Sequence, residues 1–315
     1  MHPDLSSIQS ARELLRRYLP VTRLVAAPSL SRPSGARVYL KLESDLPTAS
    51  FKPRGALYAL SVNLERRKVR EVVASSTGNH GAAVAYAARL LGVPARIFLP
   101  AQANPVKRAR IAELGAALVE QGRDISEAFQ AASACAQRDG IFFLNDATDP
   151  DLPAGPATIA CEILEQLPQT DAIYVPMGDT ALIRGMATAA KGLSPKVRIV
   201  GVQAEQAPAY YLSWKENRLV TTDSCDTIAD GLATRTPDPQ NVQAICELVD
   251  DVCLVSEAEM LAAIRHLLIQ EHGVAEPAGA AATAAFLKRG KEPGNVVLLV
   301  SGANISPLVL RRAIE

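Results

Sequence analysis

One lysine, Lys52, stands in a segment that suits covalent chemistry with a carbonyl compound. It lies in the run Ala-Ser-Phe-Lys-Pro-Arg-Gly-Ala at residues 49–56, directly before a predicted helix and upstream of an Asn/Gly-rich turn. A lysine amine in such a setting can condense with an aldehyde to form a Schiff base. The alternative is a solvated charge at the start of a helix, so Lys52 alone does not decide between them.

Four later turns of small residues give this lysine its context. Each follows an apolar strand-like run or opens an alanine-rich helix, and they lie at residues 75–81, 175–180, 276–280 and 301–304. Turns of this kind allow a phosphorylated cofactor to meet backbone N–H groups. In open α/β sheets ligands bind beyond the carboxyl ends of the strands. The turns therefore predict a cofactor cleft there, and pyridoxal phosphate is the cofactor that uses such a lysine.

Length, composition and charge restrict the class of protein. With 315 residues, 48% of them hydrophobic, the chain is expected to form a globular protein of about two domains. Basic and acidic residues balance at 33 each, so neither a nucleic-acid nor a membrane partner is expected. Residues 1–19 have the pattern of neither a signal peptide nor a membrane span. The five cysteines show no disulfide or metal spacing, which favours core thiols in a reducing cytoplasm.

An α/β fold follows from the alternation of short β-branched runs with longer alanine-rich helical patterns. Residues 71–144 predict one compact α/β unit, and residues 159–300 predict a second series of helices and strands. The early strand at residues 37–42 can pair only in the second sheet, so the larger domain is expected to be discontinuous. We expect a large domain of residues 1–53 and 146–315 and a small domain of residues 54–145. Residues 219–240 are predicted to be a loop over the mouth of the cleft.

The order of these motifs resembles that of the pyridoxal-phosphate enzymes of the tryptophan-synthase-β-like family, known as fold type II. The resemblance is strongest to the serine/threonine dehydratases, or threonine ammonia-lyases, and extends over residues 22–306. It implies two α/β domains, each an open, twisted, mostly parallel sheet flanked by helices. It also implies pyridoxal 5'-phosphate between the domains, a small amino-acid substrate and a homodimer.

The resemblance gives Lys52 two roles. It would hold the cofactor covalently and, once displaced by the substrate, would remove the α-proton. Both roles need a partly neutral amine, and we expect a desolvated cleft to lower the pKa of Lys52 accordingly. Phe51 would position the lysine beside the cofactor, although a simple core role is equally open.

The turn Ser76-Thr77-Gly78-Asn79-His80 is similar to the asparagine loop of this family. By the resemblance, the Asn79 amide would bind the ring hydroxyl of the cofactor, and the backbone N–H groups of the loop would bind the substrate carboxylate. Ser76 and Thr77 are candidate catalytic residues, with Thr77 near the substrate or the leaving group. The alternative for Thr77 is the N-cap of the next helix. His80 is expected to support the site or the helix start, because the resemblance assigns the base to Lys52.

The segment at residues 177–181 takes the place of a glycine-rich phosphate loop and departs from the dehydratase pattern. Gly178, Asp179, Thr180 and Ala181 would offer backbone N–H groups at the start of a helix, and the Thr180 hydroxyl could add a donor. Asp179 must turn its carboxylate away from a dianionic phosphate, because like charges repel.

Two more cofactor contacts follow from the resemblance. Ser301 would face the pyridine nitrogen, where a hydroxyl leaves that nitrogen largely unprotonated and favours loss of a β-substituent; its alternative role is a strand-end turn. Glu276 would lie near the cofactor, or else act on the dipole of the next helix. No metal is expected, because Gln203 and Ala209 occupy the positions at which related enzymes carry acidic ligands.

These features predict an ammonia-lyase that eliminates water from a small β-hydroxy amino acid such as L-threonine or L-serine. The products would be a 2-oxo acid and ammonia. Alternatives on the same scaffold are replacement, as in threonine and cysteine synthases, and racemisation. The alternative from another class is a catalytically silent binding protein in which Asp179 prevents phosphate binding.

Overall fold

The computed structural model describes residues 2–101, 105–290 and 292–315. Within these residues the chain forms two sheets, each flanked by helices. The strands are β1 (Leu24–Ala26), β2 (Arg37–Leu42), β3 (Glu71–Ser75), β4 (Ala95–Leu99), β5 (Ala117–Glu120), β6 (Ile141–Phe143), β7 (Ala172–Pro176), β8 (Arg198–Ala204), β9 (Asp251–Val255) and β10 (Asn295–Val300). The helices are α1 (Leu5–Leu15), α2 (Pro28–Ser34), α3 (Lys52–Arg66), α4 (Asn79–Leu91), α5 (Pro105–Glu113), α6 (Ile125–Cys135), α7 (Ala154–Gln166), α8 (Ala181–Leu193), α9 (Ala209–Glu216), α10 (Pro239–Leu248), α11 (Glu257–Gln270), α12 (Pro277–Arg289) and α13 (Pro307–Ile314).

The larger sheet has the strand order β1-β2-β10-β7-β8-β9, and the smaller one has the order β5-β4-β3-β6. Only the β1–β2 pair is antiparallel among the described pairs. Parallel neighbours need crossover connections, and the intervening helices supply them. The carboxyl ends of the parallel strands within each sheet therefore lie at one edge, where the loops can converge.

The central strands of the larger sheet are buried on both faces. All six residues of β10 are buried, and its alternate side chains enter different cores. Val296 and Leu298 face α11 and α12, whereas Val297 and Leu299 face α7 and α8. A continuous apolar run is what a parallel strand covered on both faces requires. The smaller sheet follows the same rule, with Val72 packed towards α3 and α4 and Val73 packed towards α6.

Most predicted elements are confirmed within a few residues. The strand at Arg37–Leu42 pairs in parallel with β10, which agrees with the prediction that it joins the second sheet. The loop predicted for residues 219–240 is right except at its end, because α10 begins at Pro239, capped by the Asp238 carboxylate. The helix α7 begins at Ala154 rather than at residue 159, since proline is tolerated in a first helical turn. The domain boundaries at residues 53 and 146 stay a prediction.

Candidate active site

The backbone around Lys52 is fixed to the carboxyl end of β10. The Phe51 N–H donates to the Ser301 carbonyl at 3.0 Å, and Ser50 forms a bridge with Gly302. Helix α3 then begins at Lys52 itself, with Pro53 in its first turn, where proline has no N–H to leave unpaired. The lysine therefore projects from a helix start that is anchored to the central strand of the larger sheet.

Residues 76–80 connect β3 of the smaller sheet to α4. The Ser76 hydroxyl accepts the Gly78 N–H at 3.1 Å, and Gly78 occupies the N-cap position. The alternative role of Thr77 as the N-cap is therefore wrong. The loop includes Ser76, Thr77, Gly78, Asn79 and His80, and its residues 76–79 are partly exposed.

The Asn79 amide links this loop to the larger sheet. Its Nδ2 donates to Glu276 Oε1 at 2.7 Å, and its Oδ1 accepts from Asn304 Nδ2 at 2.5 Å. Glu276 occupies the N-cap of α12 without a side-chain capping bond. The carboxylate thus points towards Asn79, and the turns at residues 276–280 and 301–304 meet the asparagine loop as the sequence predicted.

His80 is buried in the first turn of α4, and its Nε2 lies 2.9 Å from the Leu144 carbonyl oxygen. A carbonyl can only accept, so Nε2 carries the proton and Nδ1 lies 3.7 Å from the Asp146 carboxylate. Burial lowers the pKa of His80, and the nearby Asp146 offsets this only in part. The imidazole is therefore neutral, which agrees with a supporting role.

The Lys52 amine donates to Asp146 Oδ2, and both side chains are largely shielded, with 23% and 19% exposed. Burial is the largest single influence on the pKa of Lys52 and lowers it, but the carboxylates of Asp146, Asp179 and Glu276 together raise the pKa above its ordinary value. The expectation of a lowered pKa is therefore wrong for the free amine. Desolvation was the right cause to consider, but the carboxylate that opposes it lies 94 residues away in sequence.

The loop between β7 and α8 contains Gly178, Asp179, Thr180 and Ala181. A side chain at Gly178 would collide with the Gly231 carbonyl oxygen, so only glycine fits there. Thr180 takes a left-handed conformation with φ 68°, which is unusual outside glycine. The first N–H groups of α8 have no partners within the helix and point towards this loop.

The Asp179 carboxylate is fixed by a hydrogen bond from the Thr234 hydroxyl at 3.0 Å. Burial raises the pKa of Asp179, and the Asp146 charge adds to this increase. A carboxyl group with a raised pKa repels an incoming phosphate less than a fully ionised one does. Thr234 therefore orients Asp179, the residue whose negative charge was expected to repel the phosphate.

Ser301 is buried at the end of β10, where the Phe51 backbone reaches its carbonyl. The adjoining Gly302 lies so close to α12 that a side chain at Gly279 would collide with its carbonyl oxygen. The structure thus brings Lys52, residues 76–80, Glu276 and Ser301 together through a chain of contacts. The individual roles given to these residues stay predictions.

The positions considered for a metal have other partners. Gln203 is fully buried, and its Oε1 accepts the Tyr211 N–H at 2.8 Å. Glu205, the acidic residue nearest to Gln203 in sequence, accepts a hydrogen bond from Lys288 at 3.1 Å. The expectation that this site binds no cation stays a prediction.

Comparison with known proteins agrees with this geometry. A family profile described as "Pyridoxal-phosphate dependent enzyme" matches residues 15–302. The chain belongs to this family. It is 36% identical to an L-threonine ammonia-lyase of Thermotoga maritima over 312 residues, which cover 99% of this chain and 78% of the relative. It is 34% identical to an L-threonine dehydratase of Staphylococcus aureus, with 96% of this chain and 89% of the relative covered.

Solved structures agree as well. Maize serine racemase superposes with a TM-score of 0.93 at 28% identity, covering 100% of this chain and 97% of that one. The processed form of a threonine deaminase from Solanum lycopersicum gives a TM-score of 0.91 at 28% identity, covering 99% and 94%. These similarities and the family show a pyridoxal-phosphate-dependent lyase with the fold expected from the sequence.

The residues of the cleft fit this cofactor. They include an amine, the N-terminus of α8 behind a glycine that admits no side chain, and a buried serine at the end of a strand. Two residues at this cleft, Asp146 and Thr234, were missed by sequence reasoning. Asp146 had a usable signal, because it follows the predicted strand at residues 141–144 at its carboxyl end. Thr234 had no comparable signal, since it lies within an irregular loop.

Proposed function

We propose that this enzyme is an ammonia-lyase that eliminates water from a small β-hydroxy amino acid, with L-threonine and L-serine as the leading candidates. The products are a 2-oxo acid and ammonia. The observation that supports this most is the Lys52 amine at the cleft bordered by the asparagine loop, in a chain that is 36% identical to a threonine ammonia-lyase over nearly its full length.

When bound, pyridoxal phosphate draws electron density away from the substrate Cα. The Lys52 amine would take the proton from the substrate Cα. Backbone N–H groups at residues 76–78 bind the substrate carboxylate, and Thr77 borders the departing hydroxyl. The Asn79 amide, held between Glu276 and Asn304, would bind the ring hydroxyl of the cofactor. The α8 N-terminus would hold the phosphate.

Ser301 supports elimination over reactions that need a stronger electron sink. A serine hydroxyl cannot protonate the pyridine nitrogen as a carboxylic acid can. A weaker sink favours early departure of the β-hydroxyl. Racemisation is the second candidate, because serine racemases occur among the similar structures.

The test is a screen of D- and L-serine and D- and L-threonine with cofactor-loaded protein, with 2-oxo acid and enantiomer content measured separately. We expect oxo acid from one or both L-amino acids, and none with Lys52→Ala. Interconversion of enantiomers without oxo acid would favour the racemase. The absence of both products with every amino acid would contradict the proposal and favour the silent binding protein.

We also propose that the enzyme is a cytoplasmic homodimer. The five cysteines are free, which suits a reducing compartment. No helix among the described residues has the length and apolar character to cross a membrane. Light scattering of the loaded enzyme tests the assembly state, since a monomer mass would contradict the dimer.

A further inference from the structure

The most distinctive feature of the cleft is the carboxylate beside the lysine. Asp146 lies three residues beyond β6, and its Oδ2 accepts a hydrogen bond from the Lys52 amine. The same carboxylate faces His80, whose Nδ1 is 3.7 Å away. His80 is in turn held by the Leu144 carbonyl. The lysine amine therefore has a fixed, negatively charged neighbour that a solvated lysine would not have.

Two further carboxylates act on Lys52, and the Arg184 guanidinium donates to the nearby Ala147 carbonyl at 3.4 Å. Asp179 from the β7–α8 loop and Glu276 from the start of α12 both act on Lys52 with a negative charge. His80 is neutral, because its burial lowers its pKa. Glu276 and Asp179 have nearer partners of their own in Asn79 and Thr234. Asp146 is thus the carboxylate in direct contact with the amine.

We propose that Asp146 is a positioning residue for Lys52, which keeps the free amine protonated and holds it at one place in the cleft. The turnover part of this inference rests on the proposed ammonia-lyase function. When the Cα–H bond breaks, the proton passes to the Lys52 nitrogen, and the resulting ammonium is stabilised by Asp146. When the Cβ–O bond breaks, the electron pair leaves with oxygen, and the ammonium proton completes the water molecule. The amine then becomes neutral again, so the elimination balances without another reactant.

The same contact has a consequence before any turnover. An amine must be neutral to attack the aldehyde of the cofactor. Burial lowers the pKa of Lys52, and Asp146 acts most strongly among the three carboxylates that together raise it. Replacing the carboxylate by a neutral amide leaves burial unopposed at close range, so the neutral fraction of the amine rises at pH 7. A decrease of one pKa unit corresponds to about a tenfold larger neutral fraction.

The experiment measures how fast the full-length protein, stripped of cofactor, recaptures pyridoxal phosphate between pH 6 and 10. Capture is followed by visible absorbance, and borohydride reduction with peptide mapping verifies that Lys52 is the site. We expect Asp146→Asn to load at least about tenfold faster than the natural protein at pH 7, with the difference closing as the pH rises. Asp151→Asn is the matched control, because it lies in the same connection but pairs with Arg66. Equal rates and equal pH profiles for Asp146→Asn and the control would overturn the proposal.

A second measurement needs no variant. Competitive acetylation of the stripped natural protein over a pH series reports the pKa of Lys52 directly, and we expect a value above the ordinary 10.5. A value at or below 10.5 would overturn the proposal even if Asp146→Asn did not fold. Cofactor loading does not require the amino-acid substrate, so this test of Asp146 stays valid even if the substrate screen detects no product.

Discussion

Replacement of Arg54 should reveal how strongly the base of the active-site helix is held. Arg54 lies in the first turn of α3, two residues after Lys52, and is 2% exposed. Its guanidinium contacts Glu43 through Nε at 2.8 Å and Nη2 at 3.0 Å, and Glu162 through Nη1 at 2.6 Å. Lys41, also buried, pairs with Glu162 at 2.6 Å. Two cations and two anions therefore balance in this network.

Arg54→Met removes one cation and leaves two shielded carboxylates with Lys41 alone. Breaking a buried ion pair from one side costs about 3–5 kcal/mol, because the remaining charge has lost both water and partner. Burial is the largest single influence on the pKa of Glu162 and raises it, but Arg54 and Lys41 together lower the pKa below its ordinary 4.5. A lowered pKa contributes stability above that value and loses it as the pH falls. The deficit of Arg54→Met should therefore shrink as the pH falls below 4.5.

Urea denaturation of the cofactor-free protein measures this difference, with circular dichroism and the fluorescence of Trp214, the single tryptophan, as probes. Coincident transitions would justify a two-state treatment. Arg66→Met is the matched control in the same helix, because its side chain is 64% exposed and its pair with Asp151 should contribute less than about 1 kcal/mol. A deficit of Arg54→Met below about 1 kcal/mol, or one that does not change with pH, would refute the reasoning.

Three other substitutions test separate parts of the structure. Gly178→Ala should weaken cofactor binding in an equilibrium titration, because its Cβ would collide with the Gly231 carbonyl oxygen; an unchanged dissociation constant would contradict this. Gly155→Ala should destabilise the protein by about 1–3 kcal/mol in urea, since its Cβ would collide with the Arg54 carbonyl oxygen, and full stability would show that the helices can separate. Burial raises the pKa of Asp149 from its ordinary 3.8 to about 6 in the folded protein. The protonated side chain therefore stabilises the folded state fully below pH 3.8, and this contribution is lost as the pH rises through 6. Asp149→Asn should therefore be more stable than the natural protein at pH 7, by up to about 3 kcal/mol, and similar to it near pH 4; equal stability at both pH values would argue against it.

The regular elements were largely predictable because their signals are local. The buried run of β10 and the alanine-rich pattern of α4 each specify their own conformation and burial. Short elements were harder to predict. Strand β9 and helix α9 have five and eight residues, and the first depends on pairing with β8 for its hydrogen bonds. Such segments acquire their conformation from distant partners.

The candidate site likewise contains residues that the sequence predicted and residues that only the structure revealed. Lys52, Asn79, Glu276 and Ser301 were found from the sequence, because each lies in a turn next to a predicted strand or helix. The exclusion of Thr77 as a helix N-cap required the backbone, which gives that position to Gly78. The hydrogen bond that fixes Asp179 also required it, because Thr234 is 55 residues away in a loop without a pattern.

The amino-acid sequence by itself determined the kind of fold, the candidate lysine, the order of the turns and the family. These features depend on hydrophobic periodicity and turn composition, which are properties of neighbouring residues. The protonation of that lysine was decided only by the tertiary structure. Burial and charge act on Lys52 with opposite sign, and which one prevails depends on a carboxylate brought beside it from residue 146. Electrostatic energy depends on distance through space, and only the folded chain sets that distance.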